Sequence, residues 1–347
     1  VNEACVFEMG LATDEDTGFV TPYWKQNLSY TKDAQGNTVP DYSSAQVFNL
    51  KEEISTAAKT DVGSLRALLL ARGDHVANYT DLEVGACTDQ KLEKLGIRAD
   101  QYDDQDGLKY YKDHISKSIV MNMEAEFDNI VHAIATKINE VLAENCDPKT
   151  KYLCNPDGSP MQMFQKSNSP AYEKVALSSS EAEMLKAQGV KLYEIYDDDE
   201  ERVPNMYWRY VEEDANQPHT LYSCENMKIN QTLLQSPSLL KFTGEENSVD
   251  YNIGKKLVDA FADVGIYLNP YATDISSFEK CYQDLIAQTT SSGYVFGQLY
   301  DLEQLALEQA DNERQTVIGV SSDEELEHMI MYQNAYNAAS RYINVIN

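Results

Sequence analysis

Long amphipathic helices are the structures that this sequence specifies most clearly. Over residues 107–144 an apolar residue recurs at every third or fourth position, and no proline interrupts the run. This spacing places the apolar side chains on one face of an α-helix. At the standard rise per residue such a helix is roughly 55 Å long, longer than most helices of globular domains. The segment therefore predicts a rod or a helical bundle. The predicted stripe consists of Leu108, Tyr111, Ile115, Ile119, Met123, Phe127, Ile130, Ile134, Ile138 and Val141.

Two more segments near the C-terminus, 276–316 and 321–347, repeat this spacing. The last helix has a clear start, because Ser321 or Ser322 can serve as its N-cap and acidic residues follow where the helix dipole favours negative charge. Few residues separate the two segments, so we expect an antiparallel hairpin. We also expect the stripe of the last helix to pack on the helices at 276–316 and 107–144. Its members are Leu326, Met329, Tyr332, Tyr336, Ala339, Ile343 and Ile346.

Short β-prone runs separated by turn residues predict β structure in two places, 1–45 and 147–224. The sequence therefore belongs to the α+β class. We predict a discontinuous domain of long antiparallel helices (46–146 and 225–347), an inserted β-rich domain (147–224) and an N-terminal β-rich segment (1–45). Shorter helices are expected in parts of 47–79 and at 91–95, 180–188, 225–240 and 252–264.

The chain is strongly acidic. Its 347 residues include 28 Lys and Arg against 57 Asp and Glu, which gives a net charge of -29. Because nucleic acids and anionic membrane surfaces are polyanions, they are not expected as partners. No apolar run approaches the roughly 20 residues of a membrane span, so we expect no membrane insertion. The N-terminus shows neither a basic region nor a signal-peptide cleavage site.

Residues with catalytic or metal-binding potential show no recognisable arrangement. The six cysteines form no CxxC pair, and the five histidines show no HxxxH spacing. His114 and His132 lie on one predicted helix, where we expect surface or flank positions. The acidic run at 197–201 is interpreted as a solvated turn, and the one at 103–107 as an N-terminal helix cap. We therefore predict no enzyme activity, catalytic residue, cofactor or metal.

Cys146 and Cys154 are the one pair of cysteines close enough in sequence to close a short loop. In an oxidising compartment they could form a disulfide, whereas in a reducing one they would remain buried thiols. The sequence leaves both states open.

The C-terminal sequence GVSSDEELEHMIMYQNAYNAASRYINVIN resembles the C-terminal signature of bacterial flagellar axial proteins. That signature has Gly or Asn before Val, an acidic pair, Met-Ile, Gln, Ala-Tyr, and Ala-Ser-Arg before an Ile-rich end. The matching residues are Gly319, Val320, Glu324, Glu325, Met329, Ile330, Gln333, Ala335, Tyr336, Ala339, Arg341 and Ile343. Rod, hook and hook-associated proteins share the signature, so by itself it indicates only the superfamily. Ser322 departs from it, since family members commonly have Leu there.

Three further segments narrow the resemblance to the hook-associated protein 1 family, particularly its clostridial members. GSLRALLLARGDHVANYTDLE (63–83) resembles the segment after the family's first outer-domain strands. NIVHAIATKINEVLAE (129–144) resembles the helix before its β insertion, and 225–261 resembles its return segment. Residues 147–223 have no counterpart.

The resemblance implies a structural protein that assembles as a ring at the junction between hook and filament, next to the hook protein and hook-associated protein 3. It also implies an extracellular location and export by the flagellar type III system without a cleaved signal peptide. An export chaperone is expected to bind the family's C-terminal end, which this sequence lacks. Family members carry terminal coiled-coil segments that this sequence lacks. We therefore interpret the chain as a core trimmed at both ends and expect it to be monomeric.

Two alternatives remain. The β-rich domain 147–224 could be a ligand- or cation-binding module carried on the flagellar surface, or the chain could be a hook- or rod-type axial protein.

Overall fold

The computed structural model describes residues 7–14, 18–32, 36–48, 57, 63–83, 108–240, 251–262, 265–319 and 321–346. It contains 52% helix and 18% strand, with several small antiparallel sheets and long helices, so the predicted α+β class is confirmed. The chain divides into two compact units, Val1–Ile286 and Ala287–Asn347. The helix predicted at 91–95 and the acidic cap at 103–107 lie outside the described residues.

The N-terminal part forms two antiparallel hairpins, as the turn-rich sequence predicts. In the first, β1 (Met9–Thr13) pairs with β2 (Val20–Trp24), and in the second β3 (Ser29–Lys32) pairs with β4 (Thr38–Asp41). The only helix described within 47–79 is α1 (Ser64–Arg72). Arg72 at its end donates to the carbonyl oxygen of Val20 at 2.8 Å, which ties α1 to the first hairpin.

The long helix predicted at 107–144 is interrupted. Tyr111–Ile115 form a π-helical turn, and the regular helix α2 (Ile119–Glu144) begins only after Ser118. Ser118 has an extended backbone, and its Oγ accepts a hydrogen bond from the Met121 N–H at 3.3 Å while donating to the Ala71 carbonyl at 2.8 Å. A serine that can satisfy the exposed N–H groups of a helix start favours a new N-terminus over continuation. The prediction of one continuous helix is therefore wrong before Ile119.

The predicted β-rich segment folds as a three-stranded antiparallel sheet and a smaller strand pair. The sheet has the order β6 (Tyr172–Ala176), β8 (Arg202–Tyr210), β7 (Leu192–Tyr196). Between β6 and β7 lies α3 (Ser179–Ala187), which starts with a capping box formed by Ser178 and Glu181. The helix predicted at 180–188 is therefore confirmed.

The smaller pair joins β5 (Phe164–Lys166) to β9 (Met227–Ile229). Residues 225–240 were predicted to be helical, but they begin with this strand. Helix is confined there to α4 (Gln231–Gln235) and a 3-10 turn at Pro237–Leu239. The predicted helix at 252–264 is present as α5 (Tyr251–Ala262).

Helix α2 is lined by three buried apolar clusters. The first contains Ala77, Leu82, Tyr110, Tyr111, Ile115, Met121 and Ala125, the second Ile130, Leu268, Cys281 and Leu285, and the third Ile138, Leu142, Leu153 and Ile253. Five members of the predicted stripe are buried as expected: Tyr111, Ile115, Ile130, Ile138 and Val141. The prediction is wrong in the first turns of α2, where Ile119, Met123 and Phe127 are exposed. Met121 and Ala125 are buried instead. The hydrogen bond from Ser118 to Ala71 places the start of α2 beside α1, so a different face of α2 is buried there.

The two C-terminal helices agree with their predicted bounds to within two residues. They are α6 (Phe278–Ile318) and α7 (Ser322–Ile346). Phe278, Cys281 and Leu285 of α6 are buried, whereas every described residue from 293 onward is exposed, including all of α7. Two helices packed side by side would bury the stripes that face each other. The expected side-by-side packing of α6 and α7 is therefore not observed.

Shortening a buried side chain of α2 tests the assigned core. Leu142 is completely buried, so we expect Leu142→Ala to lower the free energy of unfolding by about 2–5 kcal/mol, measured by urea denaturation. Leu68→Ala is the matched control, because Leu68 lies on α1 with 67% of its surface exposed and should change stability by less than about 0.5 kcal/mol. Equal losses in the two variants would contradict the assigned core.

Candidate functional site

A cluster of polar side chains lies where α2 meets two segments that are distant in sequence. Its members are Tyr79, His132 and Glu213. The rings of Tyr79 and His132 stack at a centroid distance of 3.6 Å with 12° between their planes. The Glu213 carboxylate accepts hydrogen bonds from the Tyr79 hydroxyl and from the Tyr222 N–H at 2.9 Å, and lies 3.3 Å from His132 Nε2.

Asp128, one turn earlier on α2, hydrogen-bonds to the same two segments. This carboxylate is 3% exposed. Its two oxygens accept from the Tyr79 N–H at 3.1 Å and from the Cys224 N–H at 2.5 Å. A buried carboxylate is costly unless it is hydrogen-bonded, and here both oxygens have backbone partners. Asp128 thus fixes the positions of the Tyr79 and Cys224 segments on α2.

The protonation states suit a fastening role. Burial, together with the nearby Glu213, raises the pKa of the Tyr79 hydroxyl, so Tyr79 stays a hydrogen-bond donor. Burial raises the pKa of Glu213, but the hydrogen bonds and charge it receives from His132 and Tyr79 outweigh this and lower the pKa below its usual value. Glu213 therefore stays an acceptor. Donors and acceptors in this cluster satisfy one another.

A second polar group surrounds His75. The Nδ1 atom of His75 lies 2.7 Å from Asp74 Oδ1, and its Nε2 atom lies 3.4 Å from Asp81 Oδ2. The Asp81 side chain is 1% exposed. Asp81 also accepts from the Asn78 N–H at 3.0 Å, completing a capping box for the turn that carries Tyr79. Burial would lower the pKa of His75, but the two carboxylates raise it to about 9. His75 is therefore protonated at neutral pH.

These clusters were not predicted from the sequence. His132 was expected at the surface or on a flank, but it is half-buried between Tyr79 and Glu213. In the first cluster, Tyr79, His132 and Glu213 are separated by more than 50 positions along the chain, and no local motif connects them. In the second cluster, Asp74, His75 and Asp81 are close in sequence, but their spacing matches no recognised motif. The acidic run at 197–201 forms the expected exposed turn, in which Asp197 accepts from the N–H groups of Asp199 and Glu201. Within the described ranges, no group of three or more His, Cys, Asp or Glu side chains could hold a metal ion.

The predicted assembly residues lie on or just before α7. Ser321 is the N-cap: its Oγ accepts from the Glu324 N–H at 3.4 Å and its carbonyl oxygen from the Glu325 N–H at 3.0 Å. A side chain at Gly319 would place its Cβ 2.1 Å from the carbonyl oxygen of Gln315, so the close backbone approach there requires glycine. Val320 lies outside the described residues.

The remaining signature residues follow α7 and are all exposed. They are Glu324, Glu325, Met329, Ile330, Gln333, Ala335, Tyr336, Ala339, Arg341 and Ile343. Met329, Tyr336 and Ile343 are seven residues apart and therefore share one face, where 58%, 75% and 59% of their surfaces are exposed. An exposed apolar face of this kind is a candidate interaction surface.

No family model, curated protein or solved structure matches this chain. Among the helices in the described part of the chain, none is both long and apolar enough to cross a membrane.

The charged state of His75 makes a prediction about pH. A histidine whose folded pKa is raised from 6.5 to about 9 stabilises the fold fully below pH 6.5 and loses that contribution as the pH rises through 9. The difference in unfolding free energy between the wild type and His75→Gln should therefore shrink by about 1–3 kcal/mol between pH 6 and pH 9.5. Urea titrations at both values measure it. His219→Gln, which alters an exposed histidine, should show no such change. A constant difference for His75→Gln would contradict the assignment.

Proposed function

We propose that this chain is a structural axial component of the bacterial flagellum that forms the junction between hook and filament. The observation that carries the proposal is the position of the signature residues on a long helix whose apolar face is uncovered. The resemblance of 63–83, 129–144 and 225–261 to the hook-associated protein 1 family supports the junction position over a hook or rod position.

The physical argument concerns what the exposed stripe needs. Burying a large aliphatic or aromatic side chain stabilises a contact by about 1.5–3 kcal/mol. Leu326, Met329, Tyr336 and Ile343 are each more than half exposed on α7, so a neighbouring subunit that covers this face gains several such contributions. A helix with this stripe is therefore suited to lateral packing in a polymer.

The proposal also names the partners and the location. Copies of the chain would associate in a ring, between the hook protein and hook-associated protein 3, outside the cell. They would reach that place through the flagellar type III system without a cleaved signal peptide, with the help of an export chaperone. The role is mechanical, with no enzyme activity.

Immunogold labelling of intact flagella tests the position. With antibodies raised against this chain, we expect gold at a single point between hook and filament on cells of the organism that encodes it. Electron microscopy of cells that lack the gene is the control. Label along the hook or at the rod would favour the hook- or rod-type alternative, and the absence of flagellar label would contradict the proposal.

Matched charge substitutions test the stripe. Ile343 and Val345 are both exposed aliphatic residues, two positions and therefore about 200° apart around α7. Introduced into the chromosomal gene, Ile343→Asp should abolish junction labelling and swimming, because it puts a charge on the packing face. Val345→Asp should leave both unchanged.

Thermal unfolding of the purified variants provides the control for folding. Both positions are exposed, so neither substitution should change the melting temperature by more than about 2 °C. Normal assembly of Ile343→Asp would show that this face is not the contact.

A further inference from the structure

Two cysteines lie together at the C-terminal end of α2. Cys146 follows the last residue of the helix by two positions, and Cys154 lies beyond the turn that comes next. Their sulfur atoms are 2.7 Å apart. The structure records both as free thiols, with Cys146 half-buried and Cys154 buried.

The backbone fixes this approach. Asp147 and Tyr152 exchange two hydrogen bonds, each of 3.0 Å between N and O, so the chain turns back directly after Cys146. On its other side Cys154 pairs with Pro160 in an antiparallel bridge. Both cysteines are thus held by paired backbone, and their sulfurs meet without a rearrangement of the chain.

The turn between the cysteines is strained and anchored. Lys151 and Leu153 have φ angles of 54° and 50°, in the left-handed region that residues other than glycine rarely occupy. Such conformations persist only where the surroundings determine them. Leu153 is 1% exposed and packs with Ile138 and Leu142 of α2, which holds one end of the turn. A bond between the cysteines would hold the other.

We propose that Cys146 and Cys154 are a redox site that forms an intramolecular disulfide when the protein meets a low-molecular-weight disulfide such as oxidised glutathione. The bond closes the turn 146–154 onto the end of α2. The inference rests on the geometry of this turn and is independent of the proposed flagellar function.

The reaction is two thiol-disulfide exchanges. The Cys146 thiolate, the more accessible of the two, attacks one sulfur of the small disulfide, which releases one small thiol and leaves a mixed disulfide on Cys146. The Cys154 thiolate then attacks the Cys146 sulfur and expels the second small thiol. The two protein thiols are oxidised, the small disulfide is reduced to two thiols, and the two protons lost by the cysteines are taken up by these thiols.

The same environment makes the exchange slow. The hydrogen bond with the Cys154 thiol, together with burial, raises the pKa of the Cys146 thiol, so little thiolate is present at neutral pH. The other described cysteines offer controls. Cys224 is exposed, and Cys281 is completely buried beside Leu285.

Peptide mapping of the complete chain tests the proposal. The protein is incubated for several hours at pH 8 with oxidised glutathione, alkylated at its remaining thiols and digested with trypsin, which cuts after Lys149 and Lys151 and so separates the two cysteines. We expect one linked pair of peptides containing Cys146 and Cys154, with a mass two hydrogen atoms below the sum of the reduced peptides. Reduction should separate them. Full alkylation of both cysteines, stable glutathione adducts on them, or linkage of either to another cysteine would overturn the proposal.

Matched variants extend the test. Cys146→Ser and Cys154→Ser should each abolish the linked peptide, whereas Cys224→Ser should retain it in full. Oxidation should raise the melting temperature of the wild type and of Cys224→Ser by a few degrees and leave the other two unchanged. Because the wild-type mapping needs no substituted protein, the proposal stays testable even if a serine variant fails to fold.

Discussion

Helix α2 organises the fold through the polar side chains that it buries. Asp128 accepts hydrogen bonds from the N–H groups of Tyr79 and Cys224. The side-chain oxygen of Asn139 accepts from the N–H groups of Met163 and Phe164 at 2.9 and 3.1 Å. These partners belong to turns, a bend and the short strand β5. A hydrogen bond specifies one donor and one acceptor, whereas an apolar contact tolerates sliding. The anchors therefore set the position of each segment along the helix.

The same helix anchors the chain that leads into α6. Glu126, which is completely buried, accepts from the Asn269 amide at 2.7 Å, and Asn129 donates to the carbonyl oxygen of Tyr267 at 2.8 Å. Removing one partner of such a pair leaves a buried polar group without compensation, which costs more than the bond itself contributes. The neutral donors on Asp128 and Glu126 replace hydrogen bonds to water that these side chains lose on burial. Removing one of these donors should therefore lower the stability at the centre of the molecule.

The helices α6 and α7 differ from α2 in how little of their apolar surface is buried. Their apolar residues repeat with the same spacing as those of α2, yet α7 buries none of them and α6 buries only Phe278, Cys281 and Leu285. Amphipathic spacing indicates that a helix has an apolar face, but it does not specify which segment or which partner packs on that face. For α2 the cover is the chain itself. For α7 we propose other subunits, which accounts for a stripe that is regular in sequence and uncovered in the single chain.

The sequence by itself determined the mixed class, the bounds of α3, α6 and α7, and the exposed acidic turn at 197–201. These features depend on caps, turn residues and periodicity within one or two turns, so they can be predicted locally. Tertiary structure alone decided the interruption at Ser118, the face that α2 buries, the strand at Met227–Ile229, the cluster of Tyr79, His132 and Glu213, and the meeting of Cys146 with Cys154. Most of these depend on partners that are far apart in the chain, such as Ala71 for Ser118 and Phe164–Lys166 for the strand. The cysteines are near in sequence, but a turn with two left-handed residues brings them together, and no sequence pattern specifies that turn.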